Sequence, residues 1–216
     1  MGTTKPLFVS FEGVEGVGKT TALSLFADLL DEQNIAYVRN REPGGTPVAE
    51  ALREIVLGEH DEPLTDTTEL LLMFAARAQS VAEVIRPALA QGSWVLCDRF
   101  TDATLAYQGV ARGMPRERID TLADWVHSDL WPDATIWLHA PPAVTEQRMS
   151  GRGRDKDRIE QQPADFFAAA ADGYARLAQA NPERYFQVET SAGIDVVKAR
   201  LADVLDALLA RSVARQ

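Results

Sequence analysis

Apolar and polar positions along the chain form two alternating kinds of segment. Short apolar runs, such as 7–11 and 134–138, are typical of strands in a parallel sheet that is covered on both faces. Longer stretches between them carry apolar residues at helical spacing. This alternation predicts successive βαβ units in a three-layer α/β sandwich. Strands are predicted at Leu7–Glu12, Ile35–Arg39, Trp94–Asp98, Ala134–His139 and Tyr185–Glu189, and helices at Lys19–Glu32, Pro47–Leu57, Thr67–Ala90, Pro115–Leu130, Pro142–Met149, Pro163–Ala180 and Asp195–Arg211.

The composition is that of an ordinary globular protein, with 216 residues, 46% of them hydrophobic and 25% charged. We therefore predict one domain over 1–216. The single cysteine, Cys97, lies in an apolar run and is predicted to be structural. The apolar runs are shorter than the roughly 18 residues of a membrane span, and the N-terminal apolar segment is too short for a signal peptide. The expected compartment is the cytoplasm, with no membrane partner.

The net charge of −10 and the pI of about 4.8 argue against a nucleic-acid partner, because such binding depends on clustered Lys and Arg. An anionic ligand must instead meet a local basic pocket. Candidate arginines recur beside glycines and in predicted loops: Arg41, Arg99, Arg152, Arg154 and Arg158.

The segment Gly13–Thr20 matches the pattern G-x-x-x-x-G-K-[ST] between a predicted strand and a predicted helix. Its glycines allow successive backbone N–H groups to surround phosphate oxygens at a helix N-terminus. Lys19 is expected at the β- and γ-phosphates, and the Thr20 hydroxyl at Mg²⁺. The residues predicted to bind ATP are Gly13, Val14, Glu15, Gly16, Val17, Gly18, Lys19, Thr20 and Thr21.

A P-loop alone does not distinguish kinases from switches, motors and transporters. The sequence shows neither an Asn-Lys-x-Asp segment, which reads guanine, nor a transporter signature. Arg41–Thr46 follows the second predicted strand, and Asp98–Phe100 follows the third. Since ligands bind at the carboxyl ends of parallel strands, Arg41 and Arg99 are expected to face an acceptor phosphate. A kinase for another monophosphate or for a deoxynucleoside, and a nucleotide-dependent switch, remain alternatives.

Four motifs together carry a family resemblance: Phe11–Gly13, Arg41–Thr46, Asp98–Phe100 with Ala106–Gly109 behind it, and Asp157–Glu160. In order and spacing the chain resembles bacterial thymidylate kinase from about 7 to 167. The resemblance implies a P-loop nucleoside monophosphate kinase fold with a five-stranded parallel sheet. It also implies transfer of phosphate from ATP to dTMP, dependence on Mg²⁺ and a homodimer.

The resemblance assigns residues to the acceptor phosphate and the metal. Glu15 corresponds to the acidic P-loop residue that engages the sugar 3′-hydroxyl and a Mg²⁺-bound water. Arg41 and Arg99 correspond to the pair that holds the dTMP phosphate. Asp98 ends the third predicted strand, where its carboxylate can organise Mg²⁺ together with Thr20, directly or through water.

A second group of residues is expected at the nucleoside. Arg77 and Gln108 resemble the family's base readers, the Gln amide offering both a donor and an acceptor. Tyr107 resembles the aromatic residue under the deoxyribose. The family stacks a Phe on thymine four residues before the base-reading Arg, but this chain has Met73 there, followed by Phe74. Either Met73 lies over the base or the local register differs.

A lid is predicted at about 150–160, where glycines alternate with arginines. The P-loop stretch Glu15–Gly18 contains no arginine, which resembles the bacterial class that supplies this charge from its lid. Closure is expected to bring lid arginines, among Arg152, Arg154 and Arg158, to the phosphates. The spacing is one residue longer than usual, so Arg152 and Arg154 both remain candidates for the catalytic position. The predicted catalytic residues are Lys19, Glu15, Asp98, Arg99, Arg152 and Arg154.

Overall fold

The computed structural model describes residues 5–151, 153 and 156–214. Five strands in this part of the chain form one parallel sheet, in the order β2-β3-β1-β4-β5. The predicted five-stranded parallel sheet is confirmed, with boundaries shifted by one or two residues in the first two strands. The strands are β1 (Phe8–Glu12), β2 (Tyr37–Arg41), β3 (Trp94–Asp98), β4 (Ala134–His139) and β5 (Tyr185–Glu189).

The helices follow the predicted order with two differences. The helix predicted over Thr67–Ala90 is divided by a π-helical turn, Val81–Ile85, which ends just before Pro87. A proline has no N–H and its ring clashes with the carbonyl four residues earlier, so the regular ladder cannot continue there. Two helical segments were not predicted: Thr101–Thr104 and the π-helical Leu105–Ala111. The α-helices are α1 (Lys19–Glu32), α2 (Pro47–Leu57), α3 (Asp66–Ser80), α4 (Arg86–Ala90), α5 (Thr101–Thr104), α6 (Arg116–Val126), α7 (Pro142–Ser150), α8 (Ala164–Ala180) and α9 (Ile194–Ala214).

Strand β1 lies at the centre of the sheet and is buried throughout. Its side chains alternate between the faces, as the period of a strand requires. Val9 and Phe11 pack with the apolar residues of α1 and α9. Phe8 packs on the opposite face with Val81 and Ile85 of the π-helical turn. Helices therefore cover both faces of the sheet, which confirms the predicted three-layer arrangement.

The carboxyl ends of the strands meet at one edge of the sheet. Strand β1 ends at Glu12 and leads into the P-loop, and its neighbour β3 ends at Asp98, directly before Arg99. The P-loop and Arg99 are therefore side by side although they are far apart in sequence. In the described part of the chain, no helix is long and apolar enough to cross a membrane.

Candidate active site

A cleft of about 680 Å³ opens at the carboxyl edge of the sheet. The P-loop forms one end, and helix α3 with the helical segments 101–111 forms the other. The cleft thus joins a triphosphate cradle to a second compartment. Predicted site residues that line it are Glu15, Gly16, Gly18, Lys19, Thr20, Thr21, Arg41, Met73, Arg77, Asp98, Arg99, Tyr107 and Gln108.

The P-loop glycines have backbone conformations that favour glycine. Gly13, Gly16 and Gly18 have φ angles of 138°, 79° and 92°. A Cβ at Gly13 would lie 2.3 Å from the Leu138 carbonyl oxygen, and one at Gly16 would lie 2.5 Å from the Thr145 carbonyl oxygen. The tight turn and the close packing on β4 and α7 therefore exclude side chains at these positions.

Lys19 spans the loop from its first helical position. Its Nζ donates to the carbonyl oxygens of Gly13 and Val14 at 3.0 and 3.1 Å. Burial lowers the pKa of Lys19 to about 8, and the nearby positive charge of Arg99 acts in the same direction. An anion bound in the loop would add to the negative charge that Asp98 and Glu15 already place near this lysine.

Arg148 on α7 was not predicted as a site residue, but its side chain contacts backbone carbonyl oxygens of the P-loop. Its Nη1 lies 3.4 Å from the Gly16 carbonyl oxygen, and its Nη2 donates to the Thr190 carbonyl oxygen at 2.6 Å. The P-loop is thereby tied to the segment that follows β5. No motif marks this arginine, because its partners belong to two distant parts of the chain.

Arg99 directs its side chain to the P-loop from the end of β3. Its Nη2 donates to Glu15 Oε1 at 2.6 Å and to the Tyr107 hydroxyl at 3.2 Å. Its guanidinium also lies over the Tyr107 ring, 4.8 Å from the centroid. Arg99, Glu15 and Tyr107 therefore form one connected group at the middle of the cleft.

Glu15 is held as a carboxylate within this group. The Tyr107 hydroxyl donates to its Oε2 at 2.5 Å. Burial alone would raise the pKa of Glu15, but Arg99 and Lys19 outweigh that effect and hold the pKa below its usual value. A negative charge is thus kept between the two cations that would contact phosphates.

Arg77 lies at the far end of the cleft in a buried ion pair. Its Nε donates to Glu42 Oε2 at 2.6 Å, and its Nη2 donates to the Thr104 hydroxyl at 3.0 Å. The third nitrogen, Nη1, is buried and has no hydrogen-bond partner among the described residues. A buried donor without a partner is costly, so this nitrogen is suited to a ligand acceptor.

Gln108 belongs to a buried group that we call the Glu69 cluster, comprising Glu69, Gln108, Arg112 and Arg158. Glu69 accepts from Gln108 Nε2 at 2.8 Å, from Arg112 at 3.0 and 2.9 Å, and from Arg158 Nη2 at 2.6 Å. Because a carboxylate only accepts, the amide nitrogen of Gln108 must face Glu69. One of its N–H groups is therefore directed at Glu69 and is not available to the base. From the sequence, the amide was expected to offer the base both a donor and an acceptor.

The Glu69 cluster corrects the expectation that Arg158 closes onto the phosphates. Besides Glu69, Arg158 contacts α2, since its Nε donates to the Val56 carbonyl oxygen at 2.8 Å. These contacts anchor the C-terminal end of the predicted lid to α2 and α3. The sequence motif was recognised correctly, but its partners were not visible from spacing.

Met73 and Phe74 occupy different environments. Met73 lines the cleft. Phe74 is 2% exposed and packs in a core cluster with Leu70 and Leu105. Neighbouring helical residues point about 100° apart, so only one of the two can face the cleft. The structure places Met73 there and assigns Phe74 to the core, against the prediction that included Phe74 among ligand-binding residues.

Arg41 lines the cleft near its entrance with a side chain that is 55% exposed. Its Nη2 contacts Glu50 Oε2 at 2.7 Å. Asp98 and Thr20 line the same cleft and offer oxygen donors. Within 5–151, 153 and 156–214, no three His, Cys, Asp or Glu side chains are grouped in a way that could hold a metal ion by themselves.

Comparison with known proteins agrees with this geometry. Residues 11–201 match the family model described as thymidylate kinase. The chain belongs to the thymidylate kinase family. It is similar to thymidylate kinases of Alkalilimnicola ehrlichii, with 44% identity covering 96% of both chains, and of Chromohalobacter salexigens, with 49% identity covering 94% of this chain and 96% of that one. The crystal structure of thymidylate kinase from Ehrlichia chaffeensis matches at 31% identity and a TM-score of 0.74, covering 93% of this chain and 98% of that one.

Family membership confirms the resemblance inferred from the motifs and the P-loop nucleoside monophosphate kinase fold. Two of the predicted catalytic residues, Arg152 and Arg154, lie outside the described residues, so their role in this thymidylate kinase family member stays a prediction from sequence.

Thr104 is a cleft residue that sequence reasoning missed. It lies three residues before Tyr107 and four before Gln108, which is the spacing of one helical face. This signal was present in the sequence. It was overlooked because the segment after Arg99 was treated as a motif-bearing loop and not as a helix.

Proposed function

We propose that this protein transfers the γ-phosphoryl group of ATP to dTMP, giving ADP and dTDP. The observation that supports this most directly is that one cleft contains both the P-loop lysine, Lys19, and the buried Arg77, whose Nη1 lacks a partner among the described residues. Arg99 lies between them and contacts Glu15 of the P-loop. The cleft therefore offers a triphosphate site, an anion site and a base site, one after the other along its length.

On the donor side, the P-loop N–H groups and Lys19 would bind the β- and γ-phosphates. The Thr20 hydroxyl and the Asp98 carboxylate are hard oxygen donors, of the kind that Mg²⁺ binds together with water and substrate phosphates. Mg²⁺, when bound, neutralises charge that develops on the transferred phosphoryl group. Too few carboxylates are grouped for an all-protein metal cage in the described residues, which suits a metal that arrives with the nucleotide.

On the acceptor side, Arg99 and Arg41 would hold the dTMP phosphate. Arg41 is available for this because its present partner, Glu50, forms an exposed pair whose net contribution is small, about 1 kcal/mol or less. Tyr107 presents its ring beneath the position expected for the deoxyribose, and Glu15 is expected at the 3′-hydroxyl. The protein would thus mainly position the two phosphates in line.

Base selection would depend on Arg77 and Gln108. Arg77 is a donor only, so its free Nη1 suits the O4 carbonyl oxygen of thymine and opposes the amino group that cytosine carries there. Gln108 turns an N–H to Glu69, which leaves its carbonyl oxygen as the natural partner for the thymine N3–H. Met73, at the same end of the cleft, is expected to pack on the base.

The lid would supply the remaining positive charge. Arg152 or Arg154 is expected to contact the transferred phosphoryl group when the lid at about 150–160 closes.

A coupled ADP-release assay with dTMP, dUMP, dCMP, dGMP and AMP tests the acceptor assignment. We expect the highest kcat/KM with dTMP, lower values with dUMP and at most weak activity with dCMP. Faster turnover of dCMP or a purine nucleotide would contradict the assignment of Arg77 and Gln108. The alternatives of another nucleotide kinase or a switch protein are not favoured, since residues 11–201 match the thymidylate kinase family model.

We also propose a homodimer. A second, apolar groove of about 430 Å³ lies between α3 and α6 and includes Leu70, Leu71, Met114 and Leu122. Leu71 is 50% exposed and belongs to this apolar groove, so the groove presents apolar surface that a partner could cover. Light scattering at micromolar concentration should give twice the mass of one chain, and Leu71→Glu should lower it. A monomeric mass for the unaltered protein would contradict the proposal.

A further inference from the structure

Arg99 has a backbone conformation that its side chain does not favour. Its φ is 73°, in the left-handed region that is rare for residues other than glycine, Asn and Asp. Such a conformation costs free energy and persists only where surrounding contacts hold it. The guanidinium is also largely removed from water, its side chain being only 16% exposed. The contacts that hold Arg99 in this conformation therefore help to set the geometry of the site.

One of these contacts begins at Glu12, the last residue of β1. The Glu12 side chain is fully buried, and its Oε1 accepts from the Phe100 backbone N–H at 2.7 Å. This hydrogen bond fixes the peptide that directly follows Arg99. Burial disfavours the charged form of Glu12 and raises its pKa to about 8.

The other oxygen of Glu12 is connected to the Arg99 side chain through Tyr174. The Tyr174 hydroxyl donates to Glu12 Oε2 at 2.8 Å and accepts from Arg99 Nη1 at 3.1 Å. Tyr174 comes from α8 and is fully buried. Burial and the nearby Glu12 raise the pKa of Tyr174 well above its usual value, so its hydroxyl keeps the proton that it donates. Glu12 thus acts on both the backbone and the guanidinium of the Arg99 region.

This connection differs from the other contacts of Arg99. Glu15 and Tyr107 bind Nη2 from inside the cleft, where substrates are expected. Tyr174 and Glu12 do not line the cleft, and Tyr174 binds the opposite nitrogen, Nη1. A substrate can compete for Nη2 with Glu15, whereas the bond from Nη1 to Tyr174 is behind the site and can be kept throughout the reaction.

We infer that Tyr174, oriented by Glu12, is a positioning residue that holds Arg99 in the conformation needed to bind the acceptor phosphate. This inference rests on the proposed role of Arg99. Tyr174 itself touches neither substrate. Its loss should therefore change the handling of the acceptor, with little effect on the ATP site.

Tyr174→Phe tests the inference because it removes one hydroxyl and keeps the ring. A hydrogen bond to a charged group corresponds to about a tenfold effect or more, so KM for dTMP should rise about tenfold. KM for ATP should change by less than about twofold, since the P-loop contacts remain. Tyr185→Phe is the matched control, because Tyr185 is also buried but does not line the cleft or contact Arg99. The kinetics of each variant are measured at a temperature that lies the same number of degrees below that variant's Tm.

A double-variant experiment separates this inference from the proposed function. If Tyr174 acts through Arg99, then Tyr174→Phe should have little further effect on KM for dTMP in an Arg99→Lys background. If Arg99→Lys alone leaves dTMP kinetics unchanged, the proposed role of Arg99 fails and the inference fails with it. If Arg99→Lys impairs dTMP use but Tyr174→Phe behaves like Tyr185→Phe, or adds its full effect to Arg99→Lys, only the inference is overturned.

A second variant covers the case in which Tyr174→Phe does not fold. Glu12→Met keeps most of the size of the side chain but accepts from neither the Phe100 N–H nor the Tyr174 hydroxyl, whichever protonation state Glu12 has. It should raise KM for dTMP more than KM for ATP. Equal changes in both constants would show a general structural role and contradict the inference.

Discussion

The guanidinium of Arg77 and the carboxyl group of Glu42 form an ion pair of 2.6 Å in which each side chain is only 3% exposed. Burial raises the pKa of Glu42, although the Arg77 charge acts against this. The pair is incomplete, because Arg77 Nη1 and Glu42 Oε1 both lack partners among the described residues. A buried pair is stable only when its remaining hydrogen bonds are satisfied. Ligand binding at this end of the cleft would supply at least the missing acceptor.

Arg77→Lys should impair acceptor binding. A lysine ammonium cannot bond Glu42, Thr104 and a base at the same time in the planar geometry of a guanidinium. Loss of a hydrogen bond from a charged donor predicts an increase in KM for dTMP of about 10- to 100-fold, with KM for ATP nearly unchanged. Steady-state kinetics measure both constants.

The matched control for Arg77→Lys is Arg116→Lys. This substitution alters an exposed arginine of α6, which is paired with Asp120 one turn further along that helix. Its kinetics should equal those of the unaltered protein. An unchanged KM for dTMP in Arg77→Lys would show that the free Nη1 does not contact the acceptor.

The pKa of Lys19 predicts the pH dependence of ATP capture. Burial lowers this pKa to about 8, so the lysine is charged below that pH and loses its proton above it. Since kcat/KM reports groups of the free enzyme, kcat/KM for ATP should fall about tenfold per pH unit above pH 8. At saturating ATP the bound phosphates raise the pKa, so kcat should begin to fall only at higher pH.

The control for this pH profile is Lys19→Ala, which should lower kcat by at least about 100-fold because the phosphates lose their counter-charge. Circular dichroism should show an intact fold, since Lys19 lies in the cleft lining. A kcat/KM for ATP that stays level to pH 9.5 would contradict the assignment of the titration to Lys19.

Local pattern was sufficient for much of this fold. The strand Ala134–His139 and the helices Lys19–Glu32 and Pro47–Leu57 were predicted with the boundaries that the structure shows. Each of these segments carries its own periodicity and end signals, such as the Thr46 side chain that caps α2 by accepting from the Ala49 N–H. The P-loop was equally local, because its function depends on glycines within eight positions of one another.

The connections within the site were not predictable in the same way. Tyr174 bonds Glu12 across 162 residues, and Arg158 bonds Glu69 across 89. Neither pair leaves a spacing pattern in a single sequence, since each contact exists only after the helices have packed on the sheet. The motif that contains Arg158 was therefore seen, while its actual partner was not.

Met73 and Phe74 provide a test of which side chain faces the base. Met73→Ala removes apolar surface from the cleft and should raise KM for dTMP about three- to tenfold, with a small change in stability. Phe74→Ala creates a cavity in the core and should lower the free energy of unfolding by about 3–5 kcal/mol. Kinetics and chemical denaturation of both variants distinguish the two positions.

A conservative variant serves as control for the core position. Phe74→Leu keeps most of the apolar volume and should leave KM for dTMP unchanged while costing less stability than Phe74→Ala. If Phe74→Leu raised KM for dTMP and Met73→Ala did not, Phe74 would be the residue at the base and the helix would have to rotate on ligand binding.

The lid arginines should affect catalysis in a way that Arg158 does not. Arg152 and Arg154 are expected to meet the phosphoryl group only in the closed complex, so their loss should lower kcat with little change in KM for dTMP. An arginine that stabilises transferred phosphate contributes about 10³- to 10⁵-fold in rate across such enzymes. Arg152→Ala and Arg154→Ala, made separately and together, show which residue has this role.

Arg158→Ala is the contrasting variant. Arg158 bonds the buried Glu69, whose charge would stay paired with Arg112, so its removal should cost about 1–3 kcal/mol, as for a lost hydrogen bond to a charged group. Its main effect should be a lower free energy of unfolding, measured by denaturation, with a smaller fall in kcat. If Arg152→Ala, Arg154→Ala and the double variant all kept kcat within about threefold, which is less than about 1 kcal/mol, the lid would not supply the catalytic charge. That charge would then have to come from the described cleft, whose lining includes Lys19, Arg41 and Arg99.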